Sequence, residues 1–146
     1  MPRKNLAQQR AAHALQRIEA HSVAGPDTYG NYRSYVDGLP ATIIMNGLGQ
    51  ALAMERAGTT TGHRVLFDDL DDWLRNGWPG TPYRDRDDIL SAITAGNEGA
   101  YLRAHDEAMA YLSWLKRFAA AYLEKLDPTD ANAGGEADED GAEGGA

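Results

Sequence analysis

The longest apolar run in this chain, residues 39–54, predicts a helix. Ala41, Met45, Leu48 and Leu52 recur along it at the i, i+4, i+7, i+11 spacing that puts side chains on one helical face. The run also contains glycines, which cost about 1 kcal/mol each relative to alanine inside a helix. Since an exposed helix would gain nothing from them, we predict one buried, central helix that neighbours approach closely on more than one side.

Polar residues interrupt this run at intervals of four. Thr42, Asn46 and Gln50 would form a polar stripe along a single helix. That stripe is either a solvated edge between two packed neighbours or a surface that contacts another protein. Pro40, at the start of the run, predicts a kink or a break within one or two residues.

Helical periodicity and capping residues extend over most of the chain. Asn5 and Gln8 have the spacing of a capping box, and Asn97 is placed to cap the longest helix, which contains a core seam in steps of four and three. The other predicted helices cover residues 5–21, 29–38, 64–76, 86–95 and 98–126. We therefore predict an all-α fold, a compact bundle of about five to six helices with a long C-terminal helix. The helical domain is residues 1–126.

The remaining residues, 127–146, mix glycine, alanine and acids without an aromatic residue, which predicts a disordered acidic tail. This tail carries seven acids and no base, and so accounts for nearly all of the net charge of −8. Residues 1–126 have 15 acids and 14 bases, so the acidity of the chain does not exclude an anionic partner.

The 146 residues include no cysteine, which excludes a disulfide scaffold and a thiolate metal site and fits a cytoplasmic protein. No run approaches the roughly 20 apolar residues of a membrane span, and no secretory signal precedes the first helix. We therefore expect no membrane association.

Basic residues recur along the first predicted helix. Arg3, Arg10 and Arg17 lie seven apart and border its apolar face. They are either solvated arginines whose stems cover the edge of the core or a stripe that follows a nucleic-acid backbone. His13 and His21 have no metal-ligand spacing and are predicted to lie at the surface.

One aromatic residue, Trp114, falls within the charged strip of the last predicted helix. It lies either under a loop or at a contact surface beside Arg117 and near Lys116. Other members of this strip are Arg103, Asp106, Glu107, Glu124 and Lys125.

Two motifs suggest metal chemistry, and neither is convincing. Residues 68–72 match the DDxxD pattern of helical prenyl-transfer enzymes, but about 126 foldable residues cannot enclose an isoprenoid chain, so a solvated acidic face is predicted. His105 and Asp106 form an HD dipeptide without the further ligands such a site needs, which favours a seam histidine. We predict no catalytic residues, no metal and no cofactor. A helix-turn-helix regulator is disfavoured because Asp85, Asp87 and Asp88 open the helix that would enter the groove.

Five separate stretches, in order and spacing, resemble the small all-helical subunit of the type III-B CRISPR effector, the Cmr complex. They are Asn5-Leu-Ala-Gln-Gln-Arg10, Tyr29-Gly-Asn-Tyr32, Leu39-Pro-Ala41, Asn46-Gly-Leu-Gly-Gln-Ala-Leu-Ala53 and Leu112-Ser-Trp-Leu-Lys-Arg-Phe118. The resemblance implies a non-catalytic subunit for antiviral defence. Several copies would stack as a minor filament beside the backbone subunit that binds crRNA, and would help hold the guide and target RNA strands.

Carried onto matching positions, the resemblance makes Arg10, Lys116 and Arg117 candidates for RNA contact. Arg17 and Arg33 are added on charge and helical geometry. The expected partners are crRNA, target RNA, copies of the chain and other Cmr subunits. The alternative is a purely protein-bridging helical module with no RNA contact. The residues predicted to contact protein are Thr42, Asn46, Gln50 and Trp114.

Overall fold

A computed structural model describes residues 3–125, and within them the protein is helical with short connections. The predicted acidic tail lies outside the described residues. The helices are α1 (Leu6–Ala24), α2 (Pro26–Tyr29), α3 (Tyr32–Asn46), α4 (Leu48–Ala57), α5 (Thr61–Asp72), α6 (Ile89–Ala95) and α7 (Glu98–Tyr122), with a π-helical segment, Trp73–Gly77, directly after α5. The predicted all-α bundle with a long last helix is confirmed. No helix in this part of the chain has the length and apolar character needed to cross a membrane.

Side-chain caps begin the helices where the sequence places them. The Asn5 and Gln8 side chains each accept a hydrogen bond from the other's backbone N–H, at 2.8 and 2.9 Å, and form the predicted capping box of α1. The Asn97 side chain accepts from the N–H of Ala100 at 2.8 Å and begins α7. Asp88 caps α6 in the same way.

Helix α7 runs through the bundle alongside α1 and α3. It is parallel to α1, because Arg10 pairs with Glu107 and His13 with Tyr111. It is antiparallel to α3, because Arg33 at the start of α3 reaches the carbonyl of Leu123 just past the end of α7. Trp78 and Tyr83, in the loop that precedes α6, are buried against the bundle.

The prediction of one buried helix over residues 39–54 is wrong. Gly47, with φ +86° and ψ 158°, ends α3 and precedes α4. The break resets the helical phase, so the buried side chains include Leu39 and Ile43, while Met45 is 81% exposed and Ala41 is also exposed. The longest apolar run thus supplies two helices with different inward faces.

The predicted polar stripe is divided by the same break. Thr42 and Asn46 lie on α3 and Gln50 lies on α4, so they do not follow one helix. The chain does not break at Pro40, because α3 continues through it. At Pro40 the helix lacks one backbone N–H donor but continues. At Gly47 the backbone leaves the helical conformation for one that L-residues rarely adopt, and the helix ends there.

Candidate nucleic-acid interface

A groove of about 630 Å³ lies between the antiparallel helices α3 and α7. Its lining residues share one face of each helix. On α3 they are spaced i, i+4, i+7, and most of those on α7 repeat at four and three. The lining residues are Arg33, Asp37, Pro40, Met109, Leu112, Ser113, Lys116, Arg117 and Ala120.

The charge of this groove is predominantly positive. Arg33 on α3 faces Lys116 and Arg117 on α7, and Asp37 is the one acid among the lining residues. Lys116 and Arg117 are exposed, and neither forms an ion pair with any residue in 3–125. A groove with an apolar floor and solvated cations can hold an anionic chain.

Arg33 also holds the end of α7 against α3 at one end of the groove. Its Nη1 donates to the carbonyl oxygen of Leu123 at 3.4 Å, and the N–H of Glu124 donates to the Tyr29 hydroxyl at 3.0 Å. These two bonds hold the residues that follow α7 against the start of α3. Three of the five predicted RNA-contacting residues, Arg33, Lys116 and Arg117, are therefore brought together.

Arg10 is engaged elsewhere, in a two-point ion pair with Glu107. Arg10 Nε lies 2.5 Å from Glu107 Oε2, and Nη2 lies 2.8 Å from Oε1. The hydrogen bonds that Arg10 donates to the Glu107 carboxylate raise the pKa of Arg10 above its ordinary value. Glu107 is buried and also accepts from Trp73 Nε1 at 2.9 Å, so its predicted place on the exposed charged strip is wrong.

Arg17 contacts a buried carboxylate on α5. Its Nε lies 2.6 Å from Asp69, which also accepts from the Tyr32 hydroxyl at 2.6 Å and lies 2.8 Å from His21 Nε2. Burial first, and then the Asp69 charge, raise the pKa of Tyr32 well above its usual value. Asp69 is fully buried, so the prediction that it faces solvent is wrong.

The histidines of α1 are also internal rather than surface residues. His21 is buried, and His13 lies 2.6 Å from the Tyr111 hydroxyl and 2.7 Å from Asp72. Their partners come from α5 and α7, far away in sequence. One face of α1 thus contributes four side chains to a polar network inside the bundle. They are Arg10, His13, Arg17 and His21.

The comparisons with known proteins agree with this fold. A family model described as "CRISPR-associated protein (Cas_Cmr5)" matches residues 6–122. The chain belongs to the Cmr5 family. It is 33% identical over 96 residues to the CRISPR system Cmr subunit Cmr5 of Thermus thermophilus, an alignment that spans 66% of this chain and 78% of that protein.

A solved structure from this family is also similar. The crystal structure of a CRISPR-associated Cmr5 family protein from Thermus thermophilus matches with a TM-score of 0.67 and 28% identity, over 84% of this chain and all of the other. The resemblance inferred from the five sequence stretches is therefore confirmed at the level of the family.

In this Cmr5-family chain, the residues predicted to contact protein are dispersed. Asn46 and Gln50 are exposed, and Thr42 is half-buried and donates to the carbonyl of Gly38 at 3.3 Å. Trp114 is half-buried beside the core, with its ring 5.6 Å from that of Phe118. Their contact role stays a prediction.

Two features of the surface were missed by the sequence reading. Asp37 and Pro40 share the groove face with Arg33, a relation that the i, i+4, i+7 spacing could have indicated. Met45 was predicted to lie on the buried face and Ile44 was not assigned to either face. Both are exposed at the end of α3.

Residues 3–125 contain no group of three or more His, Asp or Glu side chains able to hold a metal ion.

Proposed function

We propose that this chain is the non-catalytic small subunit of a cytoplasmic type III-B CRISPR effector, and that its α3–α7 groove contacts the sugar–phosphate backbone of the crRNA–target RNA duplex. The supporting observation is the convergence of Arg33, Lys116 and Arg117 on one groove. Because Arg10 and Arg17 are committed to buried carboxylates, the groove cations carry most of this contact.

The groove suits contact with phosphate rather than recognition of bases. Cations on a solvated rim bind phosphates of any sequence, which fixes position without reading the bases. A subunit that serves every guide RNA needs such indifference. Each phosphate contact also releases counterions, so binding through the groove depends steeply on salt.

We further propose that copies of the chain stack end to end as a minor filament. Ile44, Met45 and Leu102 are 69%, 81% and 55% exposed and lie where α3 ends and α7 begins. Val23 and Tyr122 are 89% and 54% exposed and lie at the opposite end, where α1 and α7 finish. Large exposed apolar side chains at both ends favour a head-to-tail contact between copies.

A charge-reversal pair in the groove tests the RNA contact. In the assembled complex, Lys116→Glu with Arg117→Glu should lower the affinity for target RNA about tenfold or more, and should reduce the slope of log K against log salt by about two. Binding is measured by a salt titration. The matched control is Arg64→Glu with Arg103→Glu, two exposed cations outside the groove lining, which should change the affinity less than about twofold.

The purely protein-bridging alternative is favoured by the apolar ends alone. It predicts that the groove variant binds RNA as well as the unchanged complex does, and that RNA in the intact complex gives no crosslinks to this subunit. Either result would remove the RNA contact from the proposal. Crosslinks at α3 or α7 beside the groove would support it.

A further inference from the structure

The chain leaves its folded domain at the groove. Helix α7 ends at Tyr122, and the next two residues are held by Arg33, through the carbonyl of Leu123, and by the hydroxyl of Tyr29. Arg33 is itself a groove residue. The part of the chain beyond residue 125 therefore starts at one end of the groove.

The segment 127–146 is opposite in charge to the groove. It contains seven carboxylates, no base and no aromatic residue, and most of its other residues are glycine or alanine. The groove offers Arg33, Lys116 and Arg117 against one acid, Asp37. Small residues between carboxylates allow a close approach to an apolar floor.

Three arginines outside the groove already hold acidic protein acceptors. Arg10 and Arg17 pair with buried carboxylates, and Arg75 holds Asp71 through two hydrogen bonds. Lys116 and Arg117 have no such partner among the described residues. The groove thus offers the acidic segment two cations, Lys116 and Arg117, that have no acid partner among the described residues.

Distance is no obstacle to this contact. Lys116 lies on α7, seven residues before Leu123, which directly follows the helix. The two residues are therefore about 10 Å apart along the helix axis. Twenty residues can extend to about 65 Å, so the segment can cover the whole groove. A tether this short also gives an effective concentration in the millimolar range.

We propose that the acidic segment 127–146 occupies the α3–α7 groove and competes there with nucleic acid. Its carboxylates take the places of phosphates on Arg33, Lys116 and Arg117. The segment would then displace weakly bound RNA from the groove. It would itself be displaced only by a duplex that the whole complex binds. The contact itself is independent of the proposed function, but the competition rests on it.

A spin label on the segment tests the contact directly. Because the chain has no cysteine, Ala142→Cys gives a single attachment site for a nitroxide in the full chain. At about 50 mM salt the label should broaden the backbone amide signals of Ser113, Lys116 and Ala120, and at about 500 mM salt the broadening should vanish. Amides of α5 serve as the internal reference and should stay sharp.

A neutralised segment provides the matched control. The same labelled chain with its seven acids changed to asparagine or glutamine has the same length without the charge. It should leave the groove signals sharp at low salt. The proposal would be overturned if the groove amide signals stay sharp in the acidic chain, or if they broaden equally in both chains.

Adding poly(U) RNA separates this inference from the proposed function. RNA should restore the groove signals, and the neutralised chain should bind the RNA about three- to tenfold tighter than the acidic chain. Equal affinities, or broadening that persists while RNA binds, would overturn the competition. Broadening in a chain that binds no RNA at any concentration would support the tail contact and contradict the RNA contact of the groove.

Discussion

At the scale of single residues, Asp69 is the most connected carboxylate of the interior. It accepts from Tyr32 and lies within 2.8 Å of His21 and Arg17, so groups from α1 and α3 converge on α5. A buried carboxylate is stable only when such partners replace its lost hydration. Asp69 therefore specifies how three helices meet.

Asp69→Asn should destabilise the fold by about 2–4 kcal/mol, because it removes the charge that its buried donors require. The matched control is Asp68→Asn, the same change at the preceding, exposed residue, which should cost less than about 0.5 kcal/mol. Urea unfolding followed by circular dichroism measures both. Equal losses in the two variants would show that the network contributes nothing specific.

This network also marks where residue-level prediction fails. Within the four acids of residues 68–72, the sequence does not distinguish Asp69 from its neighbours. Its burial depends on Arg17 and Tyr32, which lie 52 and 37 positions away. Helical periodicity describes one helix at a time. A polar residue whose hydrogen-bond partners lie on two other helices is therefore predicted to face solvent.

At the scale of elements, prediction succeeded where the signal is local. The capping box of Asn5 with Gln8 and the cap at Asn97 each depend on residues three apart, and both form as predicted. The junction at Gly47 was missed because apolar residues continue across it. Its backbone conformation, not its hydrophobicity, divides the run into α3 and α4.

Two glycines at this junction should respond oppositely to alanine. Gly47 has φ +86°, and a Cβ there would lie 3.0 Å from the Tyr101 hydroxyl, so Gly47→Ala should cost about 1–3 kcal/mol. Gly49 is helical, and its Cβ would meet atoms no closer than 3.8 Å. Gly49→Ala should be neutral or stabilise the fold by up to about 1 kcal/mol. Urea unfolding of both variants tests the pair, and a tolerated Gly47→Ala would contradict the strain argument.

At the scale of the whole molecule, the candidate interface is assembled from distant parts of the chain. Lys116 and Arg117 were identified together because they are adjacent in a distinctive stretch, whereas Arg33 lies more than 80 positions earlier. Only the antiparallel packing of α3 on α7 unites them. The same packing places the exposed apolar residues of α3 and α7 at one end, which the pattern of either helix alone does not indicate.

End-to-end stacking, as proposed, depends on that end of the molecule. Met45→Lys should weaken self-association at least about tenfold, because it puts a charge into an apolar contact that loses its water. Met54→Lys is the control, since Met54 is also exposed, at 53%, but lies within α4. Sedimentation velocity over a range of concentrations measures the association of both full chains, and native mass spectrometry counts the copies in the assembled complex. Copies that stack equally well with either lysine would place the contact on another face of the bundle.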